Sequence, residues 1–454
     1  MKLSKYFQGD GLSARAARGS ALMVVNFAGQ NIIRLASNLI LTRLLFPEAF
    51  GLMALVSVVL QGLALFSDFG FRDSVVQDER GEETDFLNTT WTMQILRGLV
   101  LGLLAALLAY PTASFYGEPL LGDILLFSAI IPVLQGLNST NILTADRQLL
   151  LGRLTVLMLG TQIVGLLITI GLAWWLQSVW ALPIGNVITV AALAGFSHLA
   201  LPGIRNRWFI EWDAVLRLFT FGKYIFFSTL AMFFIQQMDK VVLGKYVTLE
   251  DLAIYNIAYL FASMPLLFAL TLNERVIYPL YARKPPKEGE QNRRKINKAR
   301  FLLTPGLLIG TAVLALIGVK MIEILYDNRY WAAGPILSLV AICTFPRLIV
   351  QSYEKLPLAT GDARNFAIVR ILYAVIQTLL LLAGVHYLGL LGAILAPAAA
   401  VFLIYPPLIL LTRAHKGWDP LHDAVFLVLA LGLSAGLLWF HWAAFTPLLD
   451  AAGL

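Results

Sequence analysis

Four basic residues lie inside long apolar stretches of the sequence, namely Arg34, Arg97, Lys240 and Arg347. A charge inside a bilayer is costly, so such residues face an aqueous cavity or a partner and mark transport pathways by default. Arginine also presents planar donor forks that match phosphate oxygens. Together these residues predict a binding site for an anionic cargo within a membrane.

Neutral polar residues share helical faces with these cations. On a helical wheel, Asn26 and Gln30 fall on the face of Arg34, Gln94 falls on the face of Arg97, and Gln351 falls on the face of Arg347. Amides and hydroxyls supply the donors and acceptors that sugars need. The predicted substrate-binding residues are Arg34, Arg97, Lys240, Arg347, Asn26, Gln30, Gln94, Gln236, Asp239, Asn256, Tyr259 and Gln351.

Each of these positions also has a structural interpretation. Polar side chains join membrane helices at about 0.6 kcal/mol each, and an arginine near a helix end extends to the interface. Lys240 pairs only weakly with the adjacent Asp239, because neighbouring helical positions diverge by about 100°. The sequence leaves both interpretations open.

Three acidic residues, Asp239, Asp68 and Glu354, are candidates for coupling transport to an ion. The chain has no P-loop, dinucleotide-binding or His-Glu-x-x-His motif. Its five histidines are scattered near the ends of the apolar stretches and predict no catalytic pair. The sequence therefore predicts no enzyme, no cofactor and no metal. Transport would be driven by the membrane potential or by a proton or sodium gradient.

The composition is that of a membrane protein. Of 454 residues, 59% are hydrophobic and 13% are charged, about half the charged share of roughly 25% in soluble proteins. This excludes a cytosolic multi-domain enzyme and a disordered chain. The single cysteine, Cys343, excludes an intrachain disulfide and a multi-cysteine metal site.

A membrane helix needs about 20 apolar residues, and thirteen stretches qualify. They are 20–43, 47–69, 87–110, 119–141, 149–174, 177–200, 217–246, 250–275, 299–322, 333–357, 365–388, 390–412 and 422–446. Most of the 34 basic residues fall on one side if the N-terminus is cytoplasmic. The basic run 283–300 and the acidic run 78–85 are then cytoplasmic loops. Whether 422–446 spans, and so the side of the C-terminus, stays open.

The sequence contains an internal repeat. Residues 41–55 (LTRLLFPEAFGLMAL) are similar to 243–257 (LGKYVTLEDLAIYNI), and both join the first and second helix of a six-helix block. Six is even, so both blocks begin on one side and form a parallel repeat. The predicted organisation is a cytoplasmic N-terminus 1–19, an N-lobe 20–200, a basic linker 201–216, a C-lobe 217–412 and a C-terminal extension 413–454 with an extra membrane helix.

These stretches resemble a known family. Residues 41–71, then 178–188 (SVWALPIGNVI) and 238–265 (MDKVVLGKYVTLEDLAIYNIAYLFASMP) are similar to polysaccharide flippases of the multidrug/oligosaccharidyl-lipid/polysaccharide (MOP) exporter superfamily. The similarity covers about residues 20–412. The chain departs from the family pattern at 250–256 (EDLAIYN), where the family more often has glycine before the tyrosine, and in its thirteenth span.

The resemblance implies an all-α polytopic membrane protein with two six-helix lobes, V-shaped around a central cleft. It implies translocation of undecaprenyl-pyrophosphate-linked oligosaccharides across the bacterial inner membrane by alternating access. The partners would be the lipid-linked substrate, membrane lipids and a polysaccharide polymerase or export machinery, with no nucleic acid. The alternatives are a multidrug or cation antiporter of the same superfamily and a membrane-embedded polysaccharide-processing enzyme.

Overall fold

The computed structural model describes the backbone of residues 12–67, 71–148 and 151–453. Side chains are described from residue 25 onward within these ranges, except at 27, 72, 73, 77, 146, 151 and 219–228. Throughout these ranges the regular elements are helices. Contacts divide the chain into two compact units, residues 1–230 and 231–454. The predicted domain boundaries stay a prediction.

The first unit contains nine helices and the start of a tenth in its described part. They are α1 (Leu12–Leu44), α2 (Pro47–Phe66), α3 (Phe71–Gln77), α4 (Thr84–Tyr116), α5 (Pro119–Ser128), α6 (Ile130–Gly136), α7 (Asn141–Arg147), α8 (Leu151–Leu176), α9 (Ala181–Ala200) and α10 (Trp212–Tyr246). Helix α10 crosses from the first unit into the second.

The second unit holds the end of α10 and the helices that follow. They are α11 (Leu249–Ala262), α12 (Met264–Leu272), a π-helix (Asn273–Ile277), α13 (Tyr278–Arg283), α14 (Glu290–Leu325), α15 (Ala333–Glu354), α16 (Leu356–Ala359), α17 (Ala363–Ala414), α18 (Pro420–Phe440) and α19 (Trp442–Ala451). Two short 3-10 turns, Pro286–Glu288 and Asn328–Tyr330, flank α14.

Ten helical stretches in the described residues are long and apolar enough to span a membrane. One of them, α17, contains two predicted spans, 365–388 and 390–412. The predicted spans 20–43 and 217–246 fall on α1 and α10, some of whose side chains lie outside the description. All thirteen predicted spans therefore lie on helices, and the all-α polytopic fold class is confirmed: the chain is a multi-pass membrane protein.

Several spans differ in detail from the prediction. The span 119–141 is broken at Ala129 into α5 and α6, and 422–446 is broken at His441 into α18 and α19. In α17, the non-helical residue within the described backbone is Gly389 (φ 57°), while Pro397, Pro406 and Pro407 lie inside the helix. Prolines inside a helix favour a kink, but the break lies at Gly389 instead. Glycine supplies the break because only it adopts positive φ without a steric cost.

The structure corrects one of the loop predictions and adds a contact to the other. Arg300 belongs to α14, not to a basic loop, and its side chain is only 1% exposed. In the acidic run 78–85, Glu79, Glu82, Glu83 and Asp85 are exposed, but Arg80 forms ion pairs with Glu211 of the segment preceding α10 and with Asp213 in the first turn of α10. That segment is extended, and its N–H groups at 207, 209 and 211 donate to side chains of α4. The contacts of Arg300 and Arg80 involve residues distant in the sequence, so the sequence alone does not predict them.

Candidate functional site

The buried carboxylate of Asp239 lies near the end of α10 in the second unit. The hydroxyl of Tyr255, on α11, donates a 2.7 Å hydrogen bond to Asp239 Oδ2. The other oxygen, Oδ1, is buried and has no hydrogen-bond partner among the described residues. Asp239 is 6% exposed and Tyr255 is 2% exposed. Such a carboxylate is held from one side and has an acceptor left for a proton or a cation.

Lys240 points away from this carboxylate. Its Nζ donates to Gln237 Oε1 at 3.2 Å and lies 5.7 Å from the ring centre of Tyr259. The Tyr259 ring in turn lies 5.9 Å from that of Tyr255. Lys240 therefore contacts the Gln237 amide and forms a cation–π contact with Tyr259.

The other predicted polar residues near this cluster make local contacts. Asn256 Nδ2 donates to the Leu252 carbonyl one helical turn earlier, at 2.8 Å. Gln236 is half-buried. Their role in binding a substrate stays a prediction.

Arg347 lies in a pocket of the same unit. Its Nη2 is 2.7 Å from Glu354 Oε1, and its guanidinium carbon is 4.5 Å from the ring centre of Tyr373. Arg370, from the first turns of α17, lines the same pocket. Two guanidinium groups against one carboxylate leave an excess of positive charge, which suits an anionic group. Glu354, a predicted coupling acid, is already paired.

Gln351 is one turn from Arg347 on α15, but it lines a different void. It is 2% exposed, and neither atom of its amide has a hydrogen-bond partner among the described residues. The void is shared with Asn273 and Arg300. The structure therefore separates Gln351 from the Arg347 pocket, although the helical wheel placed them on one face.

In the first unit, Asn26 and Gln30 face α8. Gln30 Nε2 donates to Asn26 Oδ1 at 3.0 Å, and both amides approach Met158 Sδ, at 3.7 and 3.6 Å. These contacts join α1 to α8. They match the structural interpretation of polar residues in membrane helices.

Arg34 and Arg97 have different surroundings. Arg34 is exposed, and its Nη2 donates to Asn31 Oδ1 at 2.9 Å. Arg97 donates to Ser67 Oγ at 3.0 Å and to the Ala64 carbonyl at 2.7 Å, at the C-terminus of α2. A cation there complements the helix dipole and its free carbonyls. Their predicted role in substrate binding remains untested.

Gln94 and Asp68 are the remaining predicted site residues. Gln94 Oε1 is buried and has no hydrogen-bond partner among the described residues. Asp68 lies outside the described residues.

A buried network around Asp423 had no counterpart in the sequence prediction. Its carboxylate accepts hydrogen bonds from Tyr353 and Tyr405, each at 2.6 Å, and from Trp418 Nε1 at 3.1 Å. His422 lies 2.9 Å from it and 2.9 Å from Thr304 Oγ1. An acid at the start of the predicted span 422–446 was the available signal. The network fastens α18 to the rest of the second unit.

These two units of apolar helices, with charges buried inside them, define a membrane transporter fold. The chain resembles the lipid II flippase MurJ in its inward closed conformation, with a TM-score of 0.71 at 13% identity, covering 95% of this chain and 97% of that one. It also resembles an inward-facing MATE family transporter of the MOP superfamily, with a TM-score of 0.65 at 14% identity over 85% and 95% of the two chains. At this identity the likeness shows a shared fold.

The family follows from the sequence. The model of the family described as "Polysaccharide biosynthesis protein" matches residues 40–334. The chain therefore belongs to this family, and the resemblance inferred from its motifs is confirmed.

Curated relatives carry consistent names. The succinoglycan biosynthesis transport protein ExoT of Rhizobium meliloti is 26% identical over 308 residues, which is 67% of this chain and 61% of the relative. The teichuronic acid biosynthesis protein TuaB of Bacillus subtilis is 23% identical over 302 residues, 65% of this chain and 61% of the relative. The probable flippase AglR of Haloferax volcanii is 24% identical over 420 residues, 86% and 82% of the two. The chain thus spans about three fifths of ExoT and TuaB.

Proposed function

We propose that the protein is a flippase for lipid-linked oligosaccharides. It moves undecaprenyl-pyrophosphate-linked units across the bacterial inner membrane for the export of exopolysaccharide, capsule or O-antigen. The family match and the names of ExoT, TuaB and AglR support this proposal. The fold shared with the lipid II flippase MurJ is compatible with it.

The observation that carries the proposal is the pocket of Arg347, Arg370 and Tyr373. Arg347 comes from an apolar segment, where a charge is costly and expected to serve function. A pyrophosphate needs permanent positive charge with planar donors, and arginine supplies both. A cationic drug would meet repulsion in this pocket, which argues against multidrug efflux as the main activity.

The transport cycle we propose is alternating access, with the N-terminus in the cytoplasm and the cationic pocket opening first to the cytoplasmic side. The chain itself performs no covalent chemistry. Membrane lipids surround it, and a polysaccharide polymerase or export machinery receives the product on the far side.

The test uses cells that lack the chromosomal copy of this protein, complemented with variants. Arg347→Gln should leave the protein in the membrane but reduce surface polysaccharide at least tenfold, because the pyrophosphate loses a bidentate partner. The matched control is Arg294→Gln, whose side chain is 78% exposed and pairs with Glu290. Normal polysaccharide in R347Q cells at normal protein level would refute the assignment of the pocket.

Asp239 supports a second element of the proposal, an ion-coupled cycle. Its unpaired buried oxygen is suited to bind a proton or a sodium ion. The same feature keeps a cation antiporter as the second candidate function. Proteoliposomes containing labelled lipid-linked oligosaccharide, under imposed proton, sodium or voltage gradients, distinguish the two. Translocation that responds to none of the gradients would exclude coupling, and drug efflux without translocation would favour the antiporter.

A further inference from the structure

A second polar cavity lies in the second unit, between α12, the π-helix, α14 and α15. Unpaired polar atoms line it: Asn273 Oδ1, Arg300 Nε, Ser352 Oγ and both atoms of the Gln351 amide have no hydrogen-bond partner among the described residues. Asn273, Arg300 and Gln351 are 4%, 1% and 2% exposed. Buried polar groups are nearly always paired, so this concentration indicates a ligand.

The charge of Arg300 indicates the sign of that ligand. Its terminal nitrogens donate to neutral acceptors, the Gly417 carbonyl at 2.6 Å and the Tyr281 hydroxyl. The guanidinium also lies 4.0 Å from the ring centre of Tyr353. No carboxylate of the described residues forms a salt bridge with it. A buried cation without a counter-charge is costly, so the environment favours an anion.

The hydrogen-bond donors and the volume of the cavity limit which anion it can hold. Arg300 Nε, the Ser352 hydroxyl and the Gln351 amide nitrogen are three N–H or O–H donors on one void, beside two acceptors, Asn273 Oδ1 and the Gln351 amide oxygen. The cavity has a volume of about 20 Å³, and roughly 10–15 Å³ holds one water. A monatomic ion is the anion that suits a void of this size.

A π-helix borders the cavity and supports this assignment. Residues Asn273–Ile277 form it, and Asn273 stands at its start. The Asn273 side chain donates to the Gln351 carbonyl at 2.8 Å, which ties the π-helix to α15. Single π-turns inside α-helices occur frequently at functional sites.

We propose that this cavity binds a halide-sized anion, such as chloride, that neutralises Arg300. Anion binding joins α12, α14 and α15 around one charge. The site is distinct from the Arg347 pocket and needs no transported substrate, so it stands independently of the proposed function.

The test is a thermal unfolding titration of the purified full-length protein in detergent, with potassium chloride, bromide or gluconate at constant ionic strength. Chloride and bromide should raise the midpoint along a saturating curve, because a ligand that binds only the folded state stabilises it by mass action. Gluconate should leave the midpoint unchanged. Equal midpoints in all three salts would overturn the proposal and leave water as the occupant.

Two variants locate the site. Gln351→Met and Ser352→Ala each remove one donor, and each should weaken the apparent chloride affinity at least several-fold. The matched control is Gln377→Met, since Gln377 is a buried amide of the same unit that already donates to the Ile235 carbonyl. A chloride response that persists undiminished in both Q351M and S352A would place the anion elsewhere and contradict the proposal.

Discussion

The Tyr255 hydroxyl lies 2.7 Å from Asp239 Oδ2, while Asp239 Oδ1 is buried without a partner among the described residues. Both residues belong to the second unit, Asp239 near the end of α10 and Tyr255 in α11. The tyrosine fixes the orientation of the carboxylate. The unpaired oxygen is the basis of the proposal that Asp239 couples transport to an ion.

Removing this hydrogen bond should alter ion coupling without abolishing the fold. A hydrogen bond to a charged group contributes about 1.5–3 kcal/mol, so Tyr255→Phe should change the apparent affinity for the coupling ion by tenfold or more. Asp239→Asn should remove the dependence on the gradient entirely. Both are measured as gradient-stimulated translocation in proteoliposomes.

The control for this prediction is Tyr246→Phe, because Tyr246 is an exposed tyrosine at the end of α10, the helix that carries Asp239. It should behave as the wild type. Full gradient stimulation in D239N would eliminate Asp239 as the coupling residue.

The pair Arg347–Glu354 gives a second prediction. Glu354 holds the arginine at 2.7 Å, so R347Q, E354Q and the double variant form a thermodynamic cycle. We expect an interaction free energy of roughly 0.5–3 kcal/mol, read from unfolding midpoints. Transport should fall sharply in R347Q and much less in E354Q, because only the first change removes a cation from the pocket. Equal loss in both variants would indicate that the pair acts structurally.

The helices could be predicted from the sequence because an apolar run of membrane length forms an α-helix in lipid, where its backbone groups must bond to one another. It also made Arg347 and Asp239 candidates for the site, because charges within such runs are rare. It did not separate Gln351 from Arg347, since a helical wheel gives a face but not the neighbour that covers it. The network of His422 and Asp423 depends on Tyr353 and Thr304, which are distant in sequence and meet only in the folded unit.

The ion pairs near α10 predict a dependence on pH. Arg80 hydrogen bonds lower the pKa of Glu211 below its ordinary 4.5, and the Arg217 hydrogen bond lowers the pKa of Asp213. A carboxyl with a lowered pKa in the folded state stabilises it above the ordinary pKa, and this contribution is lost as pH falls through the folded-state value. The segment 207–213 should therefore stay docked at pH 5–8 and loosen below about pH 4.5.

The loosening of segment 207–213 can be measured by amide hydrogen exchange, with the rates corrected for intrinsic exchange at each pH. R80Q should lower protection already at pH 7 and shrink the step at acidic pH, leaving the part that comes from the Arg217–Asp213 pair. Because these pairs are exposed, high salt should weaken them as well. R294Q, on a separate exposed pair, is the control; unchanged protection in R80Q would show that the backbone contacts to α4 hold the segment alone.

A close approach of two glycines within α17 gives the final prediction. A Cβ on Gly392 would lie 1.9 Å from the Gly384 carbonyl oxygen, across the break at Gly389. Backbone cannot move aside cheaply, so Gly392→Ala should destabilise the protein by roughly 1–3 kcal/mol and lower Tm. Gly432→Ala in α18 is the matched control, because no atom lies within 4 Å of its Cβ position, and alanine should slightly favour that helix. If G392A unfolds at the same temperature as G432A, the two arms of α17 do not cross as closely as these distances require.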